Sequence, residues 1–216
     1  MDRVDLVVPV KRLHEAKTRL RGAADRGAGD TTAHTRLTLA LAHDTVAAVR
    51  AARLVRRLLV VSSDPTVAAE FGAVGVEVVP DGPEPGLNPA YTHGAALLRA
   101  YDPYSAVGAL QADLPALRPA DLDEAIAQFA AAAARRGFCA DAEGTGTTLL
   151  LVGPAEPLAP RFGVGSARRH AESGALALTG LWPGLRRDVD TADDLRAAAD
   201  LGLGEHTRAV LAPCPP

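Results

Sequence analysis

Four groups of residues in this 216-residue chain carry side chains at spacings suited to work on a phosphorylated substrate. Lys11, Arg12, Lys17 and Arg19 crowd the stretch directly behind the apolar run Val4 to Val10. There they can neutralise a polyphosphate and the charge that develops when it is cleaved. A solvated basic loop has the same composition, and neither GxGxxG nor GxxxxGK[ST] follows the run, which speaks against a dinucleotide or P-loop site. Asp113 stands in Gln111-Ala112-Asp113-Leu114-Pro115, behind a second strand-like run. A carboxylate placed so is able to hold a hard cation, with an Asx turn or a helix cap as the alternative. Asp188 and Asp190 alternate along an extended segment, so both side chains share one face, and like charges there call for a cation or a basic group between them. Together with Asp113 they could bind one or two magnesium ions bridging nucleotide phosphates, although a DxD pair also occurs as a plain surface feature. The last group is a pair of Gly- and hydroxyl-rich loops, Gly144 to Thr148 and Gly163 to Ser166. Either can offer backbone N–H groups and hydroxyls to a carboxylate or a phosphate, or serve as an ordinary capped turn.

The elements that must position these residues follow from the apolar pattern. Val4 to Val10 is a short β-branched run, the mark of a strand buried on both faces. The polar stretch from Lys11 to about Thr35 reads as a functional loop. Helical spacing over Leu37 to Ala52, a strand at Leu58 to Ser62, a helix at Pro65 to Ala73 and a strand at Val76 to Val79 give β-α-β-α-β alternation. The pattern continues with a helix at Pro89 to Tyr101, a strand at Ala106 to Leu110 and a helix at Pro119 to Arg135. From Gly137 the rhythm changes, with a strand through Val152, a helix from Ala167 to Ser173, and Thr191 as the N-cap of a last helix. Such alternation implies a single α/β domain, residues 1–204, with a mostly parallel central sheet and helices on both faces; residues 205–216 read as a loose tail. In a sheet of this kind ligands bind beyond the carboxyl ends of the strands, where the basic cluster and Asp113 fall.

Composition narrows the partners. Apolar residues make up 48% of the chain, enough for one sizeable core, and the formal net charge is −3 with acids and bases interspersed. That balance points to a small-molecule partner, with no nucleic acid and no membrane surface. Cys139 and Cys214 lie in no metal-ligand spacing, which suits a reducing cytoplasm, and no apolar stretch reaches the roughly 18 residues that span a bilayer. The six histidines show no ligand spacing and read as structural or surface residues.

Taken together, the strings VPVKRL with AKTRL, GLNPA, LQADLPAL, ADAEGTGTTLL, FGVGSARRH and RRDVDT closely resemble the phosphoenolpyruvate and 2-phospho-L-lactate guanylyltransferases of deazaflavin coenzyme F(420) biosynthesis. The resemblance runs from about Val8 to Leu195. It implies a fold similar to the nucleotide-diphospho-sugar transferases and the molybdenum-cofactor guanylyltransferases, and transfer of GMP from GTP to the phosphate of a three-carbon acid. It also implies hand-over of a labile product to a downstream transferase. Residue by residue, it implies that Thr148, Gly163 and Ser166 hold the acid, that Asp113, Asp188 and Asp190 hold the metal, and that Lys17 meets the nucleotide phosphates. Ser62, Asp64 and Asn88, after the second and third strands, are candidates for reading the guanine edge. Val164 departs from the pattern, since many members are expected to carry Pro there. The competing readings are another nucleotidyltransferase of the same fold, acting on a pterin cofactor or a sugar phosphate, and a non-catalytic nucleotide-binding module.

Overall fold

The computed structural model describes residues 3–14, 16–24 and 27–212, so Cys214 and the last residues of the expected tail lie outside the described residues. Seven strands form one sheet in the order β3-β2-β1-β4-β6-β5-β7. They are β1 (Val4–Pro9), β2 (Val55–Val61), β3 (Glu77–Val79), β4 (Ala106–Leu110), β5 (Arg136–Ala140), β6 (Thr147–Val152) and β7 (Leu176–Ala177). The helices are α1 (Thr31–Ala51), α2 (Pro65–Ala73), α3 (Leu87–Tyr101), α4 (Pro119–Ala131), α5 (Ser166–Glu172), α6 (Pro183–Arg186), α7 (Ala192–Leu201) and α8 (Glu205–Leu211).

β1 is parallel to both β2 and β4, and β2 is parallel to β3. β6 runs antiparallel to β4 and to β5, while β7 is parallel to β5. Only β6 therefore opposes the rest, and the mostly parallel sheet expected from the alternation is present. Every residue of β1, β4 and β6 is buried, as strands covered on both faces must be. One face packs Leu6, Val8, Leu149 and Leu151 against α1, α4 and α6. The other packs Val7, Leu59, Val107 and Leu150 against α3 and α5. With few aromatics the helices sit close: a Cβ added to Gly94 of α3 would come within 2.5 Å of Val7 Cγ1.

Three differences from the sequence expectation stand out. The helix from Pro119 stops at Ala131, and the chain turns through Ala133 at φ 49° to start β5, a strand hidden behind an alanine-rich run that reads as continuing helix. β7 is two residues long, too short to leave an apolar signature. Residues 205–211 are not a loose tail but helix α8. Its N-terminal donors have no local cap; the His206 and Thr207 N–H groups both donate to the carboxylate of Asp44 in α1, each at 2.9 Å. Because that cap lies 162 residues away in sequence, no local pattern could announce it. Asp44→Ala should leave two donors unpaired, that of Thr207 buried and that of His206 partly so, and lower stability by about 1–3 kcal/mol. Thermal unfolding would measure the loss, and amide exchange should quicken selectively over 205–211; uniform exchange with unchanged melting would remove Asp44 as the anchor.

Candidate active site

The loop between β1 and α1 carries Lys17 to the carboxyl ends of β1 and β4. It is tied down twice just ahead of that residue. The Leu13 N–H donates to Asp64 Oδ2 at 2.9 Å, and Nε2 of His34 meets the Ala16 carbonyl at 2.8 Å. Leu13 and Leu20 are buried beside these ties. Directly after the two ties Lys17 adopts φ 54°, a left-handed conformation that costs a residue with a Cβ about 1–2 kcal/mol, and its carbonyl accepts the Leu20 N–H at 2.8 Å.

The strained backbone places the Lys17 ammonium between two carboxylates. It hydrogen-bonds Asp113, and Asp190 Oδ1 at 2.5 Å. Burial works against the ammonium, but the charges of Asp113 and Asp190 outweigh it and hold the Lys17 pKa above its usual value. Thr45 of α1 fixes the turn behind β4: its hydroxyl accepts from the Leu114 N–H at 2.9 Å and lies 3.1 Å from the Ala112 carbonyl. The Asp113 carbonyl in turn accepts the Val189 N–H at 3.1 Å, which joins the two acidic segments. Val189 is fully buried, so Asp188 and Asp190 on either side of it both turn to the cleft. Asp190 directly precedes a capping box in which Asp194 accepts the Thr191 N–H at 2.8 Å, and this sets the start of α7.

A cleft of about 260 Å³ is lined by Lys11, Lys17, Gln111, Asp113, Asp188 and Asp190, among others. Burial first, and then the neighbouring charge of Asp113, push the Asp188 carboxyl above the ordinary carboxylate range, with Lys17 pulling the other way. Asp188 also gathers with Asp141 and Glu143, one oxygen of each lying within 4.8 Å of the others. Those two have other work. Asp141 accepts the N–H groups of Thr145 and Gly146 at 2.8 and 2.7 Å, and Glu143 pairs with Arg187 at 2.6 Å. The arrangement fits a hard divalent cation. Asp113 and Asp190 already converge on a positive charge, the chain's own, and Asp113 Oδ1 is buried with no hydrogen-bond partner within the protein.

On the far side of β4 the two Gly-rich loops are held together. The register of β5 on β6 slips between Cys139 and Ala140, so Thr148 is the extra residue of a bulge, and its carbonyl accepts the Gln111 N–H at 2.9 Å. The Ala167 N–H, at the start of α5, donates to the Thr145 carbonyl at 3.1 Å. Gly163 and Gly165 have φ of 114° and 72°, values that favour glycine, and Ser166 opens α5 with its side chain buried. Arg169 closes the loop from outside, donating to the carbonyls of Val164 at 2.5 Å and Arg161 at 2.9 Å. His170 links the parts. Its Nε2 accepts the Arg161 N–H at 3.0 Å, which leaves the proton on Nδ1 for Thr147 Oγ1 at 2.9 Å.

The structure thus brings Lys11, Lys17, Asp113, Asp188 and Asp190 to one cleft, while Arg12 and Arg19 stand exposed on the same loop outside its lining. Thr148, Gly163 and Ser166 belong to the adjoining pair of loops. Ser62, Asp64 and Asn88 do not line the cleft. Asp64 caps α2 and ties the Lys17 loop; burial opposes its charge, but the N–H bonds of Leu13, Thr66 and Val67 outweigh that and hold its carboxyl below the usual range. Ser62 Oγ accepts the Asp64 N–H at 3.2 Å. Asn88 clasps the backbone of Phe162, accepting its N–H at 2.8 Å and donating to its carbonyl at 3.2 Å. Sequence reasoning missed Thr45, while its reading of the histidines as structural or surface residues agrees with the buried strut that His170 forms.

Residues 36–186 match the MobA-like NTP transferase domain. Over 206 residues the chain is 54% identical to the phosphoenolpyruvate guanylyltransferase of Geodermatophilus obscurus, covering 95% of this chain and 93% of that one. The chain belongs to the phosphoenolpyruvate guanylyltransferase family. A second family member, from Salinispora arenicola, is 54% identical over 202 residues, covering 94% and 90% of the two chains. Among solved structures, a nucleotidyl transferase from Methanothermobacter superposes with a TM-score of 0.62 at 18% identity, covering 93% of this chain and 98% of that one. A candidate nucleotide-diphospho-sugar transferase from Desulfovibrio desulfuricans gives 0.65 at 17%, covering 91% and 86%. These likenesses fix the fold shared by the family.

The His170 strut generates a pH prediction. Burial, and then Arg136, Arg169 and Arg161, lower its pKa to about 4. The unfolded chain takes up a proton near pH 6.5 and the folded chain does not, so this stability is complete above about 6.5 and falls as the pH drops toward 4. Acidification from pH 7 to 5 should remove about 1–2 kcal/mol through this one group. A proton NMR titration of the ring tests it: a midpoint near 6.5 would show that His170 is not locked between Thr147 and Arg161.

Proposed function

We propose that the chain transfers the GMP part of GTP to the phosphate of phosphoenolpyruvate, giving enolpyruvoyl-2-diphospho-5'-guanosine and pyrophosphate. The observation that carries this reading is the gathering of Lys17, Asp113, Asp188 and Asp190 around one cleft, in a chain whose likeness to family members extends over both halves of the sheet. A module that only bound nucleotide would gain nothing from several carboxylates crowded in one cleft, because their repulsion weakens an anion's hold.

Asp113, Asp188 and Asp190 would hold magnesium, which supplies Lewis-acid neutralisation of the nucleotide phosphates when bound. Lys17 brings a positive charge to the α-phosphate as charge grows there, and Lys11, Arg12 and Arg19 attract the triphosphate. Thr148, Gly163 and Ser166 hold the acid and orient it, so that a phosphate oxygen lies about 3–3.5 Å from the α-phosphorus, opposite the pyrophosphate. That oxygen forms the new P–O bond. The bond between the α-phosphorus and its bridging oxygen breaks, and its electron pair leaves with pyrophosphate. The acid is its own nucleophile, so no guanylyl-enzyme forms. The product, a reactive mixed diphosphate, is suited to direct hand-over to a downstream transferase in the cytoplasm.

Release of pyrophosphate from GTP, measured with phosphoenolpyruvate, 2-phospho-L-lactate and 3-phosphoglycerate in turn, tests the reading; the first acid should give the highest kcat/KM. Asp113→Asn and Asp190→Asn should each lower kcat at least about a hundredfold with an unchanged circular dichroism spectrum, since each removes charge that stabilises the transition state. Near-normal turnover at saturating magnesium would refute the assignment. Ser166→Ala should raise KM for the acid by the equivalent of roughly 1–3 kcal/mol and leave GTP binding intact. Loss of GTP affinity with an unchanged KM for the acid would assign the loop to the nucleotide.

A further inference from the structure

Tyr91 lies in α3, one turn beyond Leu87 of the cleft wall, and is fully buried. Its ring stacks on Phe162, centroids 4.5 Å apart, immediately before Gly163. Its hydroxyl has no hydrogen-bond partner within the protein. A phenylalanine ring would fill the same space without the penalty of an unpaired buried hydroxyl, so the oxygen needs a reason. Two hydroxyls of the paired Gly-rich loops share its condition. Ser166 Oγ is buried and unpartnered, and Thr148 Oγ1 has no oxygen or nitrogen partner, only the Cys139 thiol beside it. The other unpartnered hydroxyls among the described residues, Ser105 and Thr207, lie elsewhere, just before the amino end of β4 and in α8.

We propose that the Tyr91 hydroxyl donates a hydrogen bond to the phosphorylated acid, as a third side chain of the site that Thr148 and Ser166 line. The proposal deepens the reading given above and rests on it. Tyr91 relates to both halves of the site: its ring packs on Phe162 of the loop holding Gly163, and its hydroxyl lies in the field of Asp113. Burial, followed by that charge, raises the phenol well above its usual pKa, so the group stays a donor throughout the working range. A neutral donor at this position holds the acid's oxyanion beside the carboxylates without adding a second fixed positive charge next to Lys17. All three hydroxyls are sealed from solvent. Admitting the acid therefore needs a cover that yields, and in the segment Gly163–Gly165, where Val164 is 98% exposed, that means releasing the hydrogen bond from Arg169 to the Val164 carbonyl.

Tyr91→Phe deletes only the oxygen. Its KM for phosphoenolpyruvate should rise about tenfold, its KM for GTP should change by less than about twofold, and its melting temperature should not fall, because an unpaired buried hydroxyl is lost. A merely structural tyrosine would lower melting and leave the acid's KM alone, and that result overturns the proposal. A second measurement needs no variant. The chain has three tyrosines, and Tyr101 and Tyr104 are exposed, so in ¹³C-tyrosine-labelled protein the buried Cζ resonance is distinct. It should shift on addition of phosphoenolpyruvate with magnesium and not with GTP alone; a resonance that ignores the acid overturns the proposal. If the wild-type protein releases no pyrophosphate with any acid, the underlying reading fails instead, whereas an active wild type with an indifferent Tyr91→Phe variant removes Tyr91 alone.

Discussion

Carboxylates crowded at the mouth of a sheet cannot stand together unaided. At the effective dielectric of a protein surface, two such charges about 4 Å apart repel by roughly 4 kcal/mol. Asp113, Asp188 and Asp190 are nevertheless brought to one cleft, and the surrounding construction follows from the need to balance them. Lys17 supplies the balancing charge. To reach it the chain accepts a left-handed lysine, and two long-range ties at Leu13 and Ala16 prevent that residue from relaxing. Thr45 and the Val189 N–H hold the acids to their positions from the other side.

How much of this was legible in the sequence depends on how local each cause is. Lys17, Asp113, Asp188 and Asp190 could be picked out because a buried strand, a turn and a run of like charges are all written within a few residues of one another. The alternation of β1 to α4 was legible for the same reason. Partners were not. Asp64 and Asn88 stand where a base-reading residue would stand, yet Asp64, besides capping α2, bonds a backbone group 51 residues distant and Asn88 one 74 residues distant. A polar side chain after a strand declares that it will bond, not to what. β5 was hidden by a different cause, since the alanines before it have high helix propensity and only the left-handed turn at Ala133 breaks the run. α8 was hidden because its cap is supplied from α1.

Reversal of one strand organises the rest of the site. A parallel strand delivers its last residues to the ligand edge of the sheet, and β1 and β4 do so with the residues that precede Lys11 and Asp113. β6 runs the other way and delivers its first residues, Thr147 and Thr148, to the same edge. The loop before it and the loop before α5 can therefore meet there, pinned by His170, Asn88 and the Ala167 N–H. On the proposed reading, the nucleotide is met by strand ends and the acid by a strand beginning.

That reversal leaves the two halves of the sheet joined along a narrow line. β4 and β6 share four paired positions, Val107 to Leu110 against Val152 to Leu149, and beyond them the Gln111 N–H meets the Thr148 carbonyl. Inheritance can act on either side of such a seam separately. On the proposed reading, a lineage could exchange the hairpin of β5 and β6 together with α5, and so acquire a different small acid, while the charge machinery on β1 and β4 descended unaltered; the seam asks only that the replacement strand keep small or branched apolar side chains in register with Gly108 and Ala109.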